Sequence, residues 1–300
     1  MKIAFFTEMG FTGKISRKHD NMRTEFAWMC ALDADHYNIN QIPNQQYDLG
    51  IVIIPKKNPR FDIEVLKEHC TKISVMQEGP NWLWQDYELS KQIWYFNTIS
   101  AADIIFTHNE SDKKYYQGLT SHSDVRVMPS LMIEDSIGKL DNVERAGVII
   151  GGNFVSWYSG FDSYIIAQTF DIKVTAPSMG RRQPGEEELL THLPYQNWKE
   201  WIHTLNKFKY GIHLMRTHAA GTFALNCSYL GIPCIGYKGL DTQEKCHPDL
   251  TVDVGDLQAA RLIAQKLKTD DSFYDGCAQK TKELFYKHFS ETKFVEKINL

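Results

Sequence analysis

The stretch from Tyr210 to Tyr237, YGIHLMRTHAAGTFALNCSYLGIPCIGY, constrains this chain more than any other. An apolar run ends at Met215, small residues follow at His218-Ala219-Ala220-Gly221-Thr222, and Gly231-Ile232-Pro233 opens a second apolar run. The spacing predicts a strand, a helix from Thr222 to Leu230 stopped by Gly231, and a second strand over Pro233–Tyr237. In an open parallel sheet such a loop lies at the carboxyl ends of the strands, where ligands bind. A helix that starts there presents free N–H groups and partial positive charge, which suits a phosphate or diphosphate. A loop without bulk lets the backbone approach that ligand closely. The competing reading is a strand–helix–strand unit with no ligand.

The same alternation runs along the whole chain. Strands are expected at Lys2–Thr7, Asp48–Pro55, Lys72–Met76, Asp103–Thr107 and Val125–Pro129, with helices at Asn21–Leu32, Phe61–Cys70 and Tyr87–Ser100. The polar segment 134–145 reads as a linker. Strands then resume at Ala146–Gly151, Asp171–Thr175, Tyr210–Met215, Pro233–Tyr237 and Leu250–Val254, with helices at Phe161–Phe170, Leu257–Lys268 and Ser272–Phe289. Strands separated by helices predict an α/β fold of two Rossmann-like domains with parallel sheets. The expected division is 1–140, 141–285, and a helix end or tail at 286–300 that returns to the first domain. A length of 300 residues fits two domains.

Composition enters as a filter. The 43% hydrophobic content supports a large core, and no apolar run is long enough for a membrane helix. The start, Met1-Lys2-Ile3-Ala4-Phe5-Phe6-Thr7, reads as a buried strand rather than a signal peptide. Six cysteines without a Cys-x-x-Cys pair read as reduced, buried thiols, expected of a protein in the bacterial or phage-infected cytoplasm. A net charge of −4 gives no support to nucleic-acid binding, although a local basic patch stays open.

The unit at 210–237 resembles the donor-binding segment of nucleotide-sugar glycosyltransferases with the GT-B fold, in which two Rossmann-like domains face an interdomain cleft. The resemblance implies that backbone amides near Gly152-Asn153 and Gly221-Thr222 hold the donor. Asn226, five positions before Gly231, stands where many members carry an acidic residue that grips the ribose. His218 stands where many retaining members are acidic. Positive charge for the diphosphate is expected from Arg216, Arg181 or Arg182. The two departures leave retaining and inverting chemistry both open. The donor would be a UDP- or GDP-sugar, with no metal or other cofactor required.

Short pieces also resemble the DNA β-glucosyltransferases of T-even phages. They are the run Gly151-Gly152-Asn153-Phe154 and the turn Gly239-Leu240-Asp241-Thr242. That resemblance implies a hydroxymethylated pyrimidine in DNA as acceptor. A cell-surface glycan or lipid-linked acceptor is the runner-up, and a UDP-sugar epimerase or a non-catalytic nucleotide-binding module is the alternative of a different class.

The first half offers acceptor-side candidates. Met76-Gln77-Glu78-Gly79-Pro80-Asn81-Trp82-Leu83-Trp84-Gln85-Asp86 follows an expected strand. Glu78 is the expected general base, with Asp86 and Asp20 as substitutes. Trp82 and Trp84 would stack on a sugar ring or a base. In the first strand-to-helix loop, Gly13, Lys14 and the Arg23 of His19-Asp20-Asn21-Met22-Arg23 would meet the acceptor and offset diphosphate charge. Asp33-Ala34-Asp35 has metal-site spacing but follows a helix, so it reads as a turn.

Overall fold

The computed structural model describes residues 1–55, 61–77, 79–120 and 124–298. Its first sheet contains β1 (Ile3–Thr7), β2 (Gly13–Lys14), β3 (Asp35–Asn38), β4 (Tyr47–Ile54), β5 (Cys70–Gln77), β6 (Ile104–Thr107) and β7 (Val125–Val127). The order is β2-β3-β1-β4-β5-β6-β7, and every described pairing is parallel except β2 with β3. Between the strands run α1 (Thr24–Ala31), α2 (Ile63–Lys67), α3 (Leu89–Ala101) and α4 (Glu110–Thr120).

The second sheet holds β8 (Val148–Ile150), β9 (Val174–Ala176), β10 (Leu190–His192), β11 (Tyr210–His213), β12 (Cys234–Tyr237) and β13 (Thr251–Val252). Its order is β10-β9-β8-β11-β12-β13, parallel throughout. Counted within the sheet this is 3-2-1-4-5-6, the doubly wound dinucleotide-binding order, and the strand order switches sense between β8 and β11. Its helices are α5 (Gly160–Ala167), α6 (Glu186–Leu189), α7 (Trp198–Leu205), α8 (Thr222–Leu230), α9 (Asp241–Cys246), α10 (Leu257–Thr269), α11 (Asp271–His288) and α12 (Glu291–Lys297).

Where the structure departs from the sequence expectation, the cause is local. The helix expected at Asn21 starts at Thr24, because Arg23 is extended (φ −93°, ψ 147°). The segment before it is used instead to reach the second domain: Lys199 N–H donates to the Asp20 carbonyl at 2.9 Å. The helix expected over Phe61–Cys70 shrinks to α2, since Cys70 already pairs with Tyr47 in the sheet. The sequence reading contains neither β3 nor α4 nor α7. β3 hides in the polar run Asp-His-Tyr-Asn, where fully buried His36 makes its hydrogen bonds to Thr7 Oγ1 (2.8 Å) and the Phe11 carbonyl (2.7 Å).

One apolar cluster joins the halves. Phe26, Trp28, Met132 and Ile133 share it with Trp198, Trp201, Ile202 and Phe223, and with Phe285, Phe289 and Phe294 from the C-terminal helices. Each large side chain removed from water contributes about 1.5–3 kcal/mol, so this shared core resists separation of the two sheets. α12 packs on α1, and a parallel bridge links Met132 to Ser290. Among the described residues no helix is long and apolar enough to cross a membrane.

Candidate functional site

The site is built around the start of α8. Gly221 takes a left-handed conformation (φ 66°), and a Cβ there would lie 2.1 Å from Thr242 Oγ1. No side chain caps this helix, so the first amides of α8 keep their donors. The loop before it is gripped through its carbonyls. Asn109 Nδ2 donates to Ala219 O at 2.9 Å, Ser130 Oγ to Ala220 O at 2.6 Å, and Thr242 Oγ1 to Gly221 O at 2.9 Å. Two of these three donors come from the first domain, so the opposite half of the molecule sets the aim of the helix terminus.

Beside it runs the loop that leaves β8. A Cβ on Gly151 would meet the His213 ring at 2.3 Å, and one on Gly160 would meet the Asn153 carbonyl at 2.2 Å. Glycine is therefore required by close packing at both ends of the loop. Fully buried Asn153 donates to the Arg181 carbonyl and accepts from Val155 N–H at 3.3 Å. Glu186, buried, accepts from Phe154 N–H (3.1 Å) and Gln183 N–H (2.9 Å), tying this loop to the one after β9. Burial pushes His213 down to about 4, so the imidazole under Gly151 is neutral at physiological pH.

Between these loops opens a cavity of about 370 Å³ at the point where the strand order of the second sheet switches sense. That volume suits a small-molecule site, typically about 300–1,000 Å³. Gly151 and Tyr158 line one side, and Thr222, Phe223 and Asn226 of α8 the other. Trp198 and Trp201 of α7, with Tyr195, supply an aromatic wall. Arg23 arrives from the first domain, held by a 2.9 Å hydrogen bond from Nη2 to the Gln196 carbonyl. Among the described lining residues it is the one formal charge. Asn226 is 4% exposed, and its carboxamide makes no hydrogen bond among the described residues.

The structure sorts the residues expected from sequence. Thr222 and Asn226 come together at the cavity, with Arg23, while Gly221 sets the turn just before them against Thr242. Gly152 does not line it; a Cβ there would meet Tyr158 Cβ at 2.6 Å, so the residue serves the packing of Tyr158. Asn153 does not line the cavity either: it has no exposed surface, and its carboxamide is spent on backbone, so its side chain shapes the loop. Arg216 points to Asp162 at 3.2 Å and stands outside the cavity lining. His218 faces the first domain, 3.6 Å from Asp112 and 3.3 Å from Ser111 Oγ, and Asp112 raises its pKa. It is an interdomain contact rather than a cavity residue.

On the first-domain side, Glu78 lies outside the described residues. Asp20 is exposed next to the crossing strand segment, its carbonyl taken by Lys199. Asp86, itself exposed, ends the single turn Leu83–Asp86. Trp82, 38% exposed, meets Trp157 of the second domain with ring centres 5.5 Å apart. Trp84 is corrected: it stacks on Tyr95 at 5.3 Å and donates to Tyr115 OH at 3.1 Å, so it belongs to the first-domain core. Gly13 and Lys14 are corrected as well. They form edge strand β2, where Lys14 pairs with Asp33 at 2.5 Å. Asp35 accepts from Tyr47 OH at 2.8 Å, a structural use of the Asp-x-Asp spacing.

Sequence reasoning missed the aromatic wall. Its signal was present: Asn197 and Glu200 form a reciprocal capping box at the start of α7, followed by apolar Trp201, Ile202 and Leu205 at helical spacing. Tyr195 had no such signal.

No known sequence family matches the chain, and no curated protein matches it. Solved structures do resemble it. A sucrose-phosphate synthase from Thermosynechococcus elongatus superposes with a TM-score of 0.69 at 10% identity, over 98% of this chain and 96% of that one. An α-glucosyltransferase in complex with UDP-glucose and DNA containing an abasic site gives 0.65 at 14% identity, over 99% and 98%. TarM gives 0.64 at 9% identity; the match covers 83% of this chain and 53% of TarM, so this chain spans about half the length of that protein. These similarities identify the fold as GT-B, two Rossmann-type domains, as the strand orders require.

Proposed function

We propose that the chain is a glycosyltransferase that moves a sugar from a nucleoside-diphosphate donor to an acceptor hydroxyl. The observation that carries this reading is the cavity at the switch point in the strand order of the second sheet. The uncapped start of α8 opens beside it, and an arginine from the opposite domain completes it. The amides of Thr222 and Phe223 with Arg23 would hold the diphosphate, and Asn226 a ribose hydroxyl. Trp198, Trp201 and Tyr195 would flank the base. As the sugar–phosphate bond breaks, negative charge grows on the leaving oxygen, where helix amides and a guanidinium are already positioned. Glu78, with Asp86 and Asp20 as substitutes, is the group proposed to take the acceptor proton.

UDP is the favoured nucleotide and a hydroxymethylated pyrimidine in DNA the favoured acceptor. Support comes from the α-glucosyltransferase that covers almost the whole chain. It has been solved with UDP-glucose, and with UDP and a 13-mer DNA containing an HMU base. A glycan acceptor is the second reading, favoured by TarM, solved with UDP and α-GlcNAc-glycerol.

The test is a thermal-shift screen of UDP, GDP, ADP and CMP, followed by transfer assays onto hydroxymethylated DNA and glycans. A nucleotide at 100 times its dissociation constant should add about 2.7 kcal/mol of stability. A response to one nucleoside diphosphate followed by acceptor-dependent sugar transfer is expected. Nucleotide binding without turnover would leave a binding module, and no response to any nucleotide would remove the donor site altogether.

A further inference from the structure

A second cavity, of about 330 Å³, shares no lining residue with the first. It lies where the start of α4 and the end of β7 meet α9 and the turn from α11 into α12. Its walls are rich in basic side chains drawn from separate elements: Lys113 on α4, Arg126 on β7, Lys245 on α9 and Lys297 at the end of α12, with the His288 imidazole at the end of α11. Two carboxylates face them. Asp241 is already spent, with Oδ2 2.6 Å from Lys245 Nζ and Oδ1 accepting Glu110 N–H at 3.1 Å. Arg126 is paired with Asp124 at 2.6 Å.

That leaves Lys113, which has no partner among the described residues, and Lys297, whose ammonium reaches only the His288 carbonyl at 3.2 Å. Among the described residues Glu110, three positions before Lys113 on α4, is the one uncommitted carboxylate in the lining. The crowding is felt by the groups themselves. Partial burial, with the ammoniums of Lys245 and Lys293, lowers the Lys297 pKa; partial burial, with Lys297, Lys287 and Lys245, lowers that of His288. Two lysine ammoniums without a carboxylate partner favour an anion that brings its own charge. Phe289 and Pro129 give the same cavity an apolar side, which suits a ligand with a ring as well as an anionic head.

We propose that this cavity binds a phosphate-bearing small molecule, and that the bound phosphate ties the first domain, through Lys113, to the second domain and the C-terminal helix, through Lys245 and Lys297. Occupancy would stiffen the junction between the domains without entering the donor cavity. The inference does not depend on the proposed transferase activity.

The probe is inorganic phosphate, titrated against the full chain and followed by thermal shift. Wild type, Lys113→Gln, Lys297→Gln and the double variant are compared. Arg23→Gln marks the donor cavity, and Lys280→Gln serves as a remote control, since Lys280 pairs with Asp249. Phosphate should stabilise wild type and Lys280→Gln alike, and Arg23→Gln should keep the part of the response that the Lys113 and Lys297 variants lose. Loss of one charge-assisted contact should weaken apparent phosphate affinity by about tenfold or more in each single variant, with Lys113→Arg retaining it. Three results would overturn the proposal: no phosphate-dependent shift in wild type, equal shifts in wild type and the double variant, or loss of the response in Arg23→Gln alone. A DNA oligonucleotide that displaces phosphate at equal phosphate concentration would overturn the small-molecule assignment in favour of a polynucleotide backbone.

Discussion

Two basic residues in the first strand-to-helix region looked equivalent in sequence, and the fold gives them opposite fates. Lys14 is spent on Asp33 at the sheet edge, whereas Arg23 crosses to the second domain and lines the cavity. If Arg23 meets the donor phosphates, Arg23→Gln should weaken UDP binding by about tenfold to a hundredfold, the worth of a charge-assisted hydrogen bond. Uridine, which lacks the phosphates, should bind both proteins equally. Calorimetric titration of the two ligands separates this from a packing role, in which both affinities would drop together. Asn226 poses a related question at the ribose. A carboxamide offers one acceptor and one N–H₂ group, so it can satisfy a hydroxyl but without the charge assistance of a carboxylate.

At the scale of elements, local signals set the helices and long-range pairing trims them. α8 runs from Thr222 to Leu230 as its Gly221 start and Gly231 stop dictate. α2 is cut short because the sheet claims Cys70. α7 is governed by its own capping box, with Glu200 N–H donating to Asn197 Oδ1 at 2.9 Å and Glu200 Oε2 accepting from Asn197 N–H at 3.2 Å. Asn197→Ala should therefore cost about 1 kcal/mol, measured by urea denaturation. Because Trp198 and Trp201 ride on this helix, the same variant should also bind UDP less tightly. Unchanged stability would show that tertiary packing alone holds α7 in place.

Across the whole molecule, the first domain holds the loop on which donor binding depends. Asn109 takes the Ala219 carbonyl and also accepts Asp241 N–H at 3.0 Å, and His218 faces Asp112 from the other side of the junction. The nearby Asp112 carboxylate raises the His218 pKa against a smaller opposing effect of burial. A group whose folded pKa is raised stabilises the folded state fully below its unfolded value, about 6.5 for histidine, and loses that contribution as pH rises through the folded value. The melting temperature of wild type should therefore exceed that of His218→Gln at pH 6, and the gap should narrow by pH 8.5. A gap that stays constant would assign His218 to packing against Gly239 instead.

The sequence by itself determined the alternation of strands and helices, the two-sheet α/β architecture and the Gly221–Gly231 helix, because periodicity and glycine chemistry act over a few residues. It also offered Gly221, Thr222 and Asn226 as donor-side residues and placed Arg23 in the first strand-to-helix loop. Only the tertiary structure decided which expected residues meet. Arg216, His218, Lys14 and Trp84 each carry suitable chemistry, but Asp162, Asp112, Asp33 and Tyr95 engage them. All four of these partners lie more than ten residues away in the chain, and two of them, Asp162 and Asp112, are over fifty away. A polar or aromatic side chain is committed by whatever the fold brings within a few ångströms of it, and that proximity is a property of the packed chain rather than of any local stretch.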